Sequence, residues 1–411
     1  MNQTPEHGRS KAVGVNQLMA EIAGVGRDSR RGGYSRHVYD YADFELRDWF
    51  IDQALDTGLD VNTDRNGNIW AWWGSPGAGA VVTGSHLDSV PGGGAYDGPL
   101  GVASALAAVE ILQGKGFAPT KPLAVLVFAE EEGGRFGVPC LGSRLLTGAI
   151  DADRARGLRD AEGVTLAEAA VKAGHDPKRF GADPESLARI GCFVELHVEQ
   201  GRGLIELDSP VATGSSIIAH GRYRFSFSGQ GNHAGATRLV DRHDPMLPAA
   251  TVVAAARRAA AAMSDARATV GRLVPNPGGT NVIASSVDLW LDARAAGDGR
   301  TAALVEDITE AARAAAEAEG CELTVTEESY SDDVVFDEPL RSRMDKVLGG
   351  VPALPTGAGH DAGVLAAHVP SGMLYVRNPT GISHAPQEFA EAADIDSGAQ
   401  SLARVLEELA G

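Results

Sequence analysis

The chain has 411 residues, of which 44% are hydrophobic and 22% charged, with a formal net charge of −19. That length exceeds one typical core and predicts two domains, while the acidity and the lack of a basic stripe exclude a nucleic-acid partner. Three scattered cysteines exclude a disulfide framework, no run reaches the ~18–20 apolar residues of a membrane span, and the polar start MNQTPEHGRSK is no secretion signal, so a cytoplasmic protein with no membrane partner is expected.

Residues 1–36 are polar, with a short helix expected over Val13–Ile22. From Asp40 to Leu59, apolar residues recur at helical spacing and Gly58 supplies a stop. Leu59–Val61 and Asn68–Trp73 alternate like strands around the turn Asp64–Gly67, and Ala80–Gly84 forms a further strand. Pro99–Leu112 reads as a helix with proline in its first turn. The run Leu123–Ala129 is apolar throughout, as expected of a strand buried on both faces, and ends at Glu130-Glu131-Glu132. Residues 150–190 hold helical segments, and Phe193–His197 is another strand. From about Thr213 the pattern changes to strand Tyr223–Ser228, helix Ala249–Met263, strand-like Asn281–Arg294, helix Ala302–Ala318 and strand Glu322–Thr326. This describes an α+β sandwich inserted into an α/β domain. Strand ends carrying metal-type residues then resume at Gly357–Asp361 and at Met373–Val376, which runs on to His384, before a last helix over Ile395–Leu409.

His86, His197 and His384 each lie at or soon after the end of an apolar strand. Asp97 precedes a helix, where an acid is also favoured by the helix dipole alone. The glutamate triplet reads either as a solvated turn or as carboxylates at a buried strand end, where a cation offsets their cost. Together His86, Asp97, Glu132, His197 and His384 are too many ligands for one tetrahedral site and suit two metals sharing Asp97. Asp88 serves either as a loop residue or as a carboxylate holding the His86 tautomer. The glycine-rich stretches do not match G-x-G-x-x-G between a strand and a helix, which excludes a dinucleotide site.

The segments GSHLDSVPGGGAYDGPLG, FAEEEGGRFG, ELHVEQG, GNHAG, GGTNVI and NPTGISHAP resemble the M20 family of dinuclear metallohydrolases. More narrowly, they resemble its N-carbamoyl-L-amino-acid hydrolase, β-ureidopropionase and allantoate amidohydrolase branch. The resemblance implies an α/β, mixed-sheet catalytic domain formed by residues 1–212 and 329–411. It also implies an inserted α+β, ferredoxin-like lid at 213–328, which makes a homodimer. It assigns His86, Asp97 and His197 to one metal and Asp97, Glu132 and His384 to the other. The ions are zinc or manganese, with cobalt or nickel also compatible, since carboxylate–imidazole sites accept several. Glu131 would be the general base, taking a proton from the attacking water, and the partner subunit's His233 would steady the oxyanion. Arg294 would anchor a substrate carboxylate, with Asn281, Gln200 and His360 close to the substrate. The expected substrate is a small anionic ureido acid, either an N-carbamoyl-L-amino acid or allantoate, cleaved with release of ammonia.

Two departures bear on the substrate. His220 stands where the branch usually carries glutamine, and Ala236-Thr237-Arg238 stands where it usually carries Thr-Thr-Pro. An M20 aminoacylase or dipeptidase is the alternative enzyme, against which His197-Val198-Glu199-Gln200-Gly201 argues. A non-catalytic metal-binding homologue predicts loss of the base or a ligand, and both are present.

Overall fold

The computed structural model describes residues 14–297 and 299–411. The chain forms two compact units, the first running up to Ser216 and resuming at Val335, the second covering Ile217–Val334. These exchange points lie a few residues beyond 213 and 328, because Val211–Ile217 and Val334–Val335 are strands of the first unit's sheet.

Among the described residues that sheet has nine strands. Across it lie Asp60–Thr63, Ile69–Trp73, Leu123–Phe128, Ala80–His86, Ile190–Val198, Ser371–Val376, Val211–Ile217 and Val334–Val335, with Ala353–Thr356 also paired to Val211–Ile217. The four central strands from Leu123–Phe128 to Ser371–Val376 are mutually parallel, and the flanking strands join them antiparallel. Every residue of Ala80–His86, Leu123–Phe128 and Ser371–Val376 is buried, which is why Leu123–Phe128 is continuously apolar rather than alternating. One core joins Leu46, Phe50, Leu106, Val125, Leu196, Leu374, Leu402 and Leu406, and so packs helices Tyr41–Asp56, Pro99–Gly114 and Ala392–Ala410 with the sheet. A second cluster gathers Val38, Phe136, Leu141, Leu145, Leu166 and Phe180. The first helix begins at Val15, and Val13 lies outside the described residues. Gly357–Asp361 is not a strand end: the strand is Ala353–Thr356, and Asp361 starts a short helix.

The second unit orders four antiparallel strands as Glu322–Ser331, His220–Ser228, Ser286–Arg294 and Arg267–Asn276. With helices Met246–Ala262 and Arg300–Ala318 this is the ferredoxin-like βαββαβ arrangement. Val287, Leu289, Leu291 and Ala293 alternate into a core with Phe225, Phe227, Val252, Leu304 and Ile308. Asn281–Arg294 is not one strand but two, since Val282–Ile283 pairs with Asn232–His233 while Ser286–Arg294 enters the main sheet. Strand Arg267–Asn276 carries no strong sequence signal, because none of its residues is fully buried and its pairing slips between Trp290 and Leu291. Among the described residues, no helix is long and apolar enough to cross a membrane.

Candidate active site

The parallel strands all end at one edge of the sheet, and the chemistry collects there. His86 ends its strand, His197 is one residue from the end of the next, and Glu130–Glu132 follow Leu123–Phe128 almost directly. The chain turns sharply at Glu130 and at His384, which hold left-handed φ angles of 53° and 55°. Asp97 sits just before helix Pro99–Gly114. Gly98 separates them at φ 86°, and a Cβ there would strike the His86 ring, so only glycine lets the helix start against that imidazole.

Asp97 divides its two oxygens between two groups of residues. Its Oδ1 lies 3.1 Å from His197 Nε2 and 3.6 Å from His86 Nε2. Its Oδ2 lies 3.3 Å from His384 Nε2, and that same nitrogen is 3.3 Å from Glu132 Oε2. Two ligand sets result, His86 with Asp97 and His197, and Asp97 with Glu132 and His384, the candidate ligand atoms of each lying within 4.8 Å of one another. The first set is buried, whereas the His384 side chain is 49% exposed. Glu131 presents Oε2 at 3.6 Å from His86 Nε2, and its Oε1 accepts from the Cys140 thiol at 3.2 Å.

Asp88 meets His86 through both its backbone and its side chain. Its backbone carbonyl accepts from His86 Nδ1 at 3.0 Å, and its carboxylate stands at 3.5 Å from that nitrogen. The carboxylate oxygens also accept the backbone N–H groups of Glu131 and Glu132, at 3.1 and 3.0 Å, and so hold the glutamate turn. His197 Nδ1 likewise donates to a carbonyl, that of Val198. Both rings therefore aim Nε2 inward. Gln200 donates to Asp97 Oδ2 at 2.8 Å, while its Oε1 is buried and has no partner among the described residues. His360 is buried with its ring 4.5 Å from that of His197, and its Nε2 has no partner among the described residues. Two further buried carboxylates, Glu195 and Asp361, were given no role by the sequence reading. Glu195 accepts from Ser85 and from the Ala362 N–H, and Asp361 accepts from Ser143. Glu195 is two residues before His197 in a strand, and that spacing puts both on one face.

The electrostatics of the cluster follow from burial and crowded charge. Burial pushes the Glu131 carboxyl well above its ordinary range, and Asp361, Glu132 and Asp88 add repulsion that His86 only partly offsets. Burial, then the Asp97 charge, pushes Glu132 up to about 7. For His86, burial disfavours the cation, but Glu131, Asp88 and Asp97 outweigh it and hold the imidazolium well above its usual range. His360 is driven the other way by burial and by His197, and stays neutral. His86 Nε2 and His197 Nε2 find no hydrogen-bond partner among the described residues, although both are buried. Unpartnered imidazole nitrogens facing crowded carboxylates fit divalent cations.

The second unit holds the remaining residues. His233 is exposed on the short strand Asn232–His233, and its Nδ1 accepts from the Gly235 and Ala236 N–H groups at 3.0 and 3.2 Å. The proton is thereby placed on Nε2, making it a donor. In the departing segment, Thr237 donates its hydroxyl to the His233 carbonyl, and Arg238 pairs with Asp241. Arg294 ends strand Ser286–Arg294 and forks onto Asp292, with bonds of 2.7 and 2.9 Å. His220 is paired opposite it on the neighbouring strand, and burial followed by the Arg294 charge lowers its pKa. Asn281 is exposed beside the pair of short strands.

Comparison with known proteins now settles the family. The model of "Peptidase family M20/M25/M40" matches residues 82–408. The chain belongs to this family. An N-carbamoyl-L-amino acid amidohydrolase of Geobacillus stearothermophilus is 34% identical over 400 residues, covering 96% of this chain and 97% of its own. A ureidoglycolate hydrolase of Oryza sativa is 31% identical, covering 96% of this chain and 84% of its own. Among solved structures, a hydantoinase/carbamoylase family amidase of Burkholderia vietnamiensis superposes with a TM-score of 0.88 at 28% identity, covering 97% and 98% of the two chains.

Proposed function

We propose that this M20-family chain is a metal-dependent amidohydrolase that cleaves a C–N bond of a small ureido acid and releases ammonia. The observation that carries the reading is Asp97 serving two ligand sets beside Glu131, in a chain whose relatives over nearly its full length are named for ureido substrates. His86, Asp97 and His197 would hold one divalent ion, and Asp97, Glu132 and His384 the other, with zinc or manganese the favoured metals. When bound, such ions supply a water of lowered pKa and a polarised carbonyl. Glu131, which stands 3.6 Å from His86, takes the proton from the water as the water oxygen attacks the ureido carbon. The C–N bond then breaks, and Glu131 returns that proton to the leaving nitrogen. Gln200 offers the unpartnered Oε1 to a ureido N–H, and the neutral His360 lies behind His197.

The second unit's residues complete the proposal. Arg294 grips the substrate carboxylate, Asn281 and His220 add polar contacts, and a homodimer brings in the partner subunit's His233 as oxyanion donor. The protonated Nε2 of His233 supports that last role. Ammonia release from N-carbamoyl-L-amino acids, ureidoglycolate, allantoate, an N-acetyl amino acid and a dipeptide, each with manganese or zinc added, tests the reading. Turnover confined to ureido compounds is expected. Hydrolysis of the acetyl amino acid or the dipeptide alone would overturn it.

A further inference from the structure

Glu388 is a buried carboxylate that belongs to neither ligand set. Its Oε1 accepts the backbone N–H groups of Tyr96 and Asp97, at 2.8 and 3.0 Å. Its Oε2 accepts from the Ser383 hydroxyl at 3.0 Å, and that hydroxyl is also 3.1 Å from Asp97 Oδ2. One side chain thus ties the loop that presents Asp97 to the loop that presents His384. The last glycine of Gly92-Gly93-Gly94 is shaped by the same group, since a Cβ on Gly94 would land inside the Glu388 carboxylate. The triple glycine packs against this carboxylate. Its third member makes room for the tie.

We infer that Glu388 is the positioning residue of the second ion site, setting the separation of Asp97 and His384 by joining their backbone loops. The inference rests on the two-ion reading above. The two sites depend on the tie unequally. His86 and His197 lie in interior strands of the sheet, so the first set has one ligand held by a loop. In the second set, Asp97 and His384 both ride on loops that Glu388 connects. Loss of the tie therefore weakens the second ion far more than the first.

Stepwise Zn2+ titration of chelator-stripped protein against a competing chromogenic chelator tests this. Glu388→Ala is expected to weaken the second binding step by about 10- to 100-fold, the range found when a group supporting a metal ligand is removed, and to leave the first nearly unchanged. Glu388→Gln keeps an acceptor for the two N–H groups and can donate to Ser383, so it should restore most of the second step. Gly94→Ala displaces the carboxylate without removing it and should reproduce the loss. A second step of wild-type strength in Glu388→Ala overturns the inference, and if that variant does not fold, the same outcome in Gly94→Ala does so. Wild-type protein that saturates at one ion would instead remove the two-ion reading itself.

Discussion

In the first unit the chemistry-bearing side chains point inward from the ends of buried parallel strands, whereas in the second they stand on exposed turns and at the end of an antiparallel strand. His86 Nε2 and His197 Nε2 are buried without a hydrogen-bond partner among the described residues and crowd against the Asp97 carboxylate. His233 and Arg294 are held by local groups, two backbone N–H donors in one case and the neighbouring Asp292 in the other. Crowded, buried charges tolerate little change, because each group depends on all the rest. Exposed groups with private partners can be exchanged one at a time. The departures at His220 and Ala236-Thr237-Arg238 both fall in the second unit, whereas both candidate ligand sets lie in the first.

This contrast can be broken by experiment. Removing metal with a chelator should abolish turnover and destabilise the first unit, since an ion at a thousandfold excess over its Kd contributes about 4 kcal/mol. Calorimetry with and without zinc would show it, and an equal fall in the second unit's transition would contradict the division. Glu131→Gln should lower kcat by about 10²- to 10⁴-fold while metal analysis still finds the same ion content. Near-normal turnover would remove Glu131 as the base. Arg294→Ala should raise KM for an anionic ureido acid by roughly 10- to 100-fold, the loss of a charged hydrogen-bonded contact, with metal content untouched. An unchanged KM means the anchor lies elsewhere. The smallest effect belongs to Cys140→Ala, expected to cost a few-fold in kcat because Glu131 loses one hydrogen bond of about 1 kcal/mol. Cys140→Ser should recover most of it.

The residues that were legible in the sequence share one physical trait. His86, Glu132 and His197 interrupt or follow apolar runs that only a buried strand explains, so their polarity stands out. Asp97 gained its meaning once the other ligands were placed around it. Glu388 lies 291 residues from Asp97 along the chain, and no local pattern links them. Cys140 reads as one more small apolar residue until its thiol is seen against Glu131. Glu195 was readable, two positions before His197 on the same strand face, but a buried acid next to a ligand draws less notice than the ligand. Strand Arg267–Asn276 failed for the opposite reason, since its exposed alternation resembles that of a polar connector.

The strand Ser371–Val376 lies between Ile190–Val198 and Val211–Ile217, in the interior of the nine-stranded sheet. A ribosome delivers it only after both of its neighbours. Until it emerges, the sheet has a gap at its middle, with two strand edges whose hydrogen bonds await partners. The second unit, one uninterrupted stretch with its own core, has by then left the ribosome whole. Synthesis therefore yields a folded insert held by an unfinished host, and the host closes only when the segment bearing His384 arrives.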